Sequence, residues 1–82
     1  MTLNKIQCRA ARALLGWSQA ELAYQARVAI KTVADFERGM TAPHRRTLAQ
    51  IAEALEDAGV QFLNGDAPGV QLTPSVAGQT KA

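Results

Sequence analysis

The sequence predicts an all-α domain made of several short helices, and three observations predict it. Apolar residues recur every three or four positions over residues 3–15 and 45–57, which is the spacing of one face of an α-helix. Gly16, Gly39 and Gly59 fall just past the ends of such stretches, where a left-handed residue closes a helix. The 48% apolar fraction includes only one Trp, one Tyr and two Phe; much of the remainder is alanine, which suits short helices in close contact. Eighty-two residues make one small domain with a thin core that a partner subunit would reinforce.

The first helix is expected over residues 3–15, with Ile6, Ala10, Ala13 and Leu14 as its inward face and Gly16 as its stop. Ser18 then opens a second helix over about Gln19–Gln25, and Glu21 three residues later completes the pattern of a capping box. Leu22 and Ala23 face inward, and Arg27-Val28 marks a break. A third helix runs over about Ile30–Glu37 and stops at Gly39; Thr41-Ala42-Pro43 is a loop, because proline biases its predecessor away from helix. A fourth helix starts at His44 or Arg45 and ends near Asp57, with Leu48, Ile51, Ala52 and Leu55 inside. Val60–Leu63 and Val70–Leu72 read as short strands around the turn-rich NGDAPG. An isolated hairpin is marginal in water, so residues 64–72 are read as a hairpin or dimerisation extension. Phe62, Leu63, Val70 and Leu72 are its candidate dimer-interface residues, with the region from the fourth helix to Phe62 as a further option. Residues 73–82 lack periodicity and are expected to be disordered.

The net charge of +2 conceals an asymmetry. Residues 1–50 carry eight Lys and Arg against three Asp and Glu, whereas residues 51–82 carry one Lys against four acidic residues. A basic front and an acidic rear suit one surface that meets phosphate and one that does not; an ordinary mixed surface is the alternative. Cys8 is the only cysteine, so an internal disulfide is excluded, and its place within a helical pattern suits a small buried thiol. No apolar run approaches the ~18 residues of a membrane span and no signal-peptide pattern opens the chain, so a cytoplasmic location is expected. One His, one Cys and no nucleophile–base or metal-ligand cluster speak against an enzyme; neither a cofactor nor a metal is expected.

The break at Arg27-Val28 joins two short helices, the arrangement of a helix-turn-helix whose second helix enters a DNA groove. At about 100° per residue, Lys31 and Asp35 lie opposite Val33, while Thr32 and Ala34 lie on the flanks. These groups can read base edges: lysine reaches guanine O6/N7, aspartate accepts from cytosine N4, and threonine or alanine meets a thymine methyl. Alternatively, Lys31 and Asp35 form a surface pair at i,i+4. Ile30 leans inward yet sits in the first turn, which leaves both core packing and groove contact open. Glu37 lies on the inner side, where a carboxylate needs a cationic partner. Arg12 is the best placed, and an Arg12–Glu37 pair is expected to hold the first helix against the third.

These features resemble the Cro/C1-type, or XRE (lambda-repressor-like), helix-turn-helix family. The resemblance rests on Arg12, GWSQAELA from Gly16 to Ala23, Val28, Val33, FERG from Phe36 to Gly39, Pro43 and the Leu48/Ile51/Ala52/Leu55 stripe. It implies a five-helix lambda-repressor-like domain over residues 3–63, with its helix-turn-helix at 19–38. It implies base reading by Ile30, Lys31, Thr32 and Asp35, phosphate contacts from Ser18, Gln19, Arg38, Arg45 and Arg46, and a buried pair between Arg12 and Glu37. Two positions depart from the family pattern. Arg27 stands where the turn usually has glycine, at a cost of ~1–2 kcal/mol if positive φ is needed. Ala29 stands where Ser or Thr usually caps the reading helix, at a cost of ~1 kcal/mol.

The expected function is that of a sequence-specific regulator of transcription binding double-stranded DNA. It is read as a homodimer on a pseudo-palindromic operator, repressing and autoregulating, with activation at some sites, in the style of small phage repressors and controller proteins. The alternative is an antitoxin-like module that uses the same fold to engage an unidentified protein partner.

Overall fold

Each helix starts and stops where its local chemistry dictates. A computed structural model describes residues 3–63 and 69–72. The elements are α1 (Lys5–Leu15), α2 (Gln19–Ala26), α3 (Ile30–Glu37), α4 (Arg45–Asp57), β1 (Val60–Leu63) and β2 (Gly69–Leu72). Asn4 caps α1 through a full capping box: its side chain accepts from the Gln7 backbone N–H at 2.7 Å, and the Gln7 side chain accepts from the Asn4 N–H at 3.2 Å. Ser18 Oγ caps α2 by accepting from the Glu21 N–H at 3.0 Å. The reciprocal half of the expected box is missing, because the Glu21 carboxylate accepts instead from Gln25 one turn on, at 2.7 Å.

Three helices close with the same device. In each, an N–H bonds the carbonyl three residues back and the next N–H reaches five back, the Schellman arrangement. These bonds run from Gly16 and Trp17 after α1, from Arg27 and Val28 after α2, and from Gly39 and Met40 after α3. Each closing residue is left-handed: Gly16 at φ 70°, Gly39 at φ 76° and, without the freedom of glycine, Arg27 at φ 60°.

The core is assembled from α2, α3 and α4, with α1 and the hairpin laid against it. Leu22, Val33, Ile51, Leu55 and Cys8 are fully buried, and Trp17, Val28, Leu48, Phe62 and Val70 pack around them. Gln50 of α4 donates its amide to the Ala26 carbonyl, tying α4 to the end of α2. β1 and β2 are antiparallel, with Val60 opposite Leu72 and Phe62 opposite Val70. Successive residues alternate across a strand, so these four share one face, on which Val60 is buried and Phe62 and Val70 pack on the core. Gln61 and Gln71 share the other face and bond through their amides at 2.9 Å.

Two sequence expectations are corrected. The described residues contain four helices and a hairpin, not the five helices that the family resemblance implies; the strands read at 60–63 and 70–72 are present as β1 and β2, the Val-Gln-Phe-Leu alternation favouring extended chain. The inward face of α1 is also not Ile6/Ala10/Ala13/Leu14. Gln7, Cys8 and Ala11 are buried, whereas Ile6 is 69% and Leu14 43% exposed. Gln7 is the reason: its amide donates to the carbonyls of Leu63 and Gly69, at 3.2 Å each, so a polar residue occupies the middle of the buried stripe. The expected turn at 64–68 and the expected disordered tail at 73–82 lie outside the described residues.

The turn into α3 concentrates two local defects: left-handed Arg27, and Ala29, which sits at the N-cap without a side-chain cap hydrogen bond. Arg27→Gly and Ala29→Ser should each stabilise the domain by about 1 kcal/mol, raising Tm by roughly 4–8 °C apiece. Thermal unfolding followed by circular dichroism checks both, and an unchanged or lower Tm would contradict the assignment.

Candidate nucleic-acid interface

The three-residue break Arg27–Ala29 sets α3 across the end of α2. Val33 and Phe36 anchor α3 in the core, which presents its first turn to solvent. Ile30 is 52% exposed, Lys31 is exposed and Thr32 is half-buried. Of the two sequence readings for Ile30, core or groove, the outward one matches its position.

Asp35 is where the helical wheel misled. The wheel puts it directly opposite the core, yet it is only 8% exposed. Its Oδ2 accepts from Lys31 Nζ and its Oδ1 from Arg38 Nη2, each at 2.7 Å. Hydrogen bonds from Lys31 first, then Arg38, hold its carboxyl below the ordinary range. A wheel gives the direction of a residue but not what its neighbours at i−4 and i+3 lay over it. Asp35, Lys31 and Thr32 line a shallow concavity with Thr41, Pro43 and His44 of the α3–α4 connection and Thr47 of α4 on its other side.

Behind α3, Glu37 is 5% exposed and fully engaged. Its Oε1 accepts from Arg12 Nη2 at 2.7 Å and Gln19 Nε2 at 3.1 Å; its Oε2 accepts from Arg12 Nε at 2.8 Å and Cys8 Sγ at 3.1 Å. Arg12 Nη1 also donates to the Trp17 carbonyl at 3.0 Å. Burial alone would raise the Glu37 pKa, but the hydrogen bonds from Arg12, Cys8 and Gln19 and the charge of Arg12 outweigh it and depress the value. Burial, reinforced by the Glu37 bond, pushes the Cys8 thiol up, so it stays protonated.

Cations border this frame on several sides. Arg38, Arg45 and Arg46 are exposed. α4 opens with His44-Arg45-Arg46 and has no side-chain cap and no acidic residue in its first turn. Basic groups at the positive end of a helix dipole oppose the helix itself, an arrangement that an external anion would relieve. Lys5 and Arg9 of α1, which the sequence reading passed over, line a second concavity with Arg12, Gln19, Glu37, Arg38 and Met40. The available signal was their spacing: Lys5, Arg9 and Arg12 recur at four and three residues and so share a helix face.

The structure thus brings Ile30, Lys31 and Thr32 to one exposed turn, with Asp35 beside them but covered. Ser18 and Gln19 stand at the start of α2, and Arg12 meets Glu37 behind. Phe62 and Val70 are partly used by the protein's own core, while Leu63 and Leu72 are exposed. Among the described residues, no helix is long and apolar enough to cross a membrane and no group of three or more His, Cys, Asp or Glu side chains is placed to hold a metal.

A sequence-family profile described as Helix-turn-helix matches residues 9–56, more than half of the chain and all of α2 and α3. No curated protein matches the chain in sequence.

Glu37 also predicts a pH dependence. A carboxyl depressed below its ordinary value near 4.5 contributes stability in full above that pH and loses it as pH falls through the lower folded value. Glu37→Gln should therefore destabilise the domain at neutral pH, on the order of 3 kcal/mol because Arg12 is left without its counter-charge. The same variant should flatten the acid limb of stability against pH. Urea unfolding across a pH series measures both, and an acid limb as steep as that of the parent would refute the role.

Proposed function

Because the chain belongs to the Cro/C1-type (XRE) helix-turn-helix family over residues 9–56, we propose that it is a sequence-specific transcription regulator of double-stranded DNA. It acts as a homodimer on a pseudo-palindromic operator, as an autoregulating repressor with activation at some sites. The observation that carries this reading is the first turn of α3, where Ile30, Lys31 and Thr32 reach solvent together while Val33, Phe36 and Glu37 fix the helix from behind. Lys31 and Thr32 supply a donor and a hydroxyl with methyl, and Ile30 an apolar contact for a thymine methyl. Asp35 acts on specificity through Lys31 and Arg38, since both of its oxygens are engaged.

Phosphate contacts come from the rim. Ser18 Oγ accepts within its cap and keeps its own O–H to donate. Gln19 gives one amide N–H to Glu37 and keeps a second. Arg38, Arg45 and Arg46 supply charge. The hairpin forms the dimer contact, through the exposed Leu63 and Leu72 and the partly buried Phe62 and Val70. A symmetric pair of reading helices then addresses half-sites ~34 Å apart. The protein acts in the cytoplasm, where that DNA lies.

Selection of binding sites from random duplexes, with the full chain at low salt, should enrich a pseudo-palindrome with half-sites about one helical turn apart. Lys31→Ala should cost about 1–3 kcal/mol on the selected site and relax one base position. Arg45→Ala should weaken all duplexes alike and reduce the salt slope by about one. No enriched sequence, together with no gel shift at low salt by folded protein, would overturn the reading.

A further inference from the structure

α1 has three faces. Cys8 and Ala11 are buried, with Leu15 packed beside them. Lys5, Arg9 and Arg12 line the concavity shared with Gln19 and Arg38. The third face carries Ile6, Ala10, Ala13 and Leu14, at i, i+4, i+7 and i+8, and it looks outward: Ile6 is 69% and Leu14 43% exposed. Single exposed aliphatic residues are ordinary, but four at helical spacing make an amphipathic stripe without a partner. Arg9 and Arg12 border it, forming one shallow concavity with Ile6, Ala10 and Ala13.

Charge decides what fits there. α1 contains no acidic residue, and among the described residues neither Lys5 nor Arg9 has an ion-pair partner. A second copy laid face to face would bring its own Lys5 and Arg9 to the same seam, so like charges would meet. An apolar stripe with basic residues along one border instead complements an amphipathic helix with acidic residues along the facing border. Ala10 and Ala13, small and central, allow that helix to approach closely.

We propose that the outward face of α1 is a docking surface for an acidic amphipathic helix of another protein. Aliphatic anchors of that helix cover Ile6 and Leu14, and its carboxylates pair with Lys5 and Arg9. Resting on the DNA-binding reading above, a consequence follows: Arg9 and Arg12 also line the concavity with Gln19 and Arg38, so the docked helix competes with phosphate and releases the protein from DNA.

The test uses the full chain, isotope-labelled, and a synthetic 16-residue helical peptide with leucines at i, i+3, i+4 and i+7 and glutamates along one border. Saturable binding should perturb the resonances of Ile6, Ala10, Ala13 and Leu14. It should weaken roughly tenfold when the peptide glutamates become glutamine, and roughly tenfold or more in the doubly substituted Ile6→Gln, Leu14→Gln protein. Both sites are exposed, so that variant should unfold at the temperature of the parent. The peptide should also displace a fluorescent duplex from the parent protein. Absent or non-saturable binding, perturbations confined to other helices, or indifference to the glutamine peptide would each overturn the proposal. So would a dimer, seen by sedimentation equilibrium, that the double substitution converts to monomer, since a second copy would then occupy the face. Peptide binding at α1 without any duplex binding at low salt would support the docking surface and sink the DNA-binding reading and its release mechanism.

Discussion

The Glu37 carboxylate is the constraint on which the rest of the structure depends. It takes four donors on two oxygens, from Cys8 and Arg12 of α1, with Arg12 giving two, and from Gln19 of α2. One side chain at the end of α3 therefore fixes three elements against one another. A buried carboxylate is tolerated only when its lost hydration is replaced in full, and no buried side-chain nitrogen or oxygen among the described residues lacks a partner. The pair gives little net stability over an apolar core of the same shape. Its value lies in geometry, because a carboxylate with four directional partners admits one orientation of α3 where packed aliphatics would admit several.

The same network reaches the candidate interface. Arg12 and Gln19 line the concavity beside Arg38, so the residues that hold the angle of α3 also stand at its border. On the outer side, Asp35 does for Lys31 and Arg38 what Glu37 does for Arg12 and Gln19. Its bonds are more exposed, however, and its cations have solvent to return to, so they hold direction more than stability. α3 is thus framed by two covered carboxylates, one held by a buried network and the other by two exposed cations.

Much of this was legible in the sequence. Residues whose neighbours are set by local spacing read correctly: Leu22 and Ala23, Val33 and Phe36, and the Ile51/Ala52/Leu55 stripe are all inside. Glu37 could be read because an acidic residue among inward positions demands a cation, and Arg12 was at hand. α1 was misread because its pattern contains two stripes, and apolarity alone cannot choose between Ile6/Ala10/Leu14 and Cys8/Ala11/Leu15. The choice was made by Gln7, whose amide reaches two hairpin carbonyls more than fifty residues away. Asp35 was read in part: its pair with Lys31 at i,i+4 was one of the two sequence readings and is present, but its burial under Lys31 and Arg38 does not follow from its direction on the wheel. Long-range hydrogen bonds leave no periodic trace.

Local rules are broken in one region of the molecule. Arg27 adopts a left-handed conformation where glycine is free to do so, Ala29 begins α3 without a cap, and His44-Arg45-Arg46 sets basic groups at the positive end of α4. Each works against the free protein, and none touches the core. A sequence under pressure for stability alone would correct them with single substitutions. Their common position, around the turn and the loop that flank α3, fits a surface whose missing term is an external anion. A phosphate backbone laid there would offset the like charge at the start of α4, and a bound duplex would order the uncapped first turn of α3. Under the proposed DNA-binding role, part of the affinity would be spent on ordering the uncapped first turn of α3.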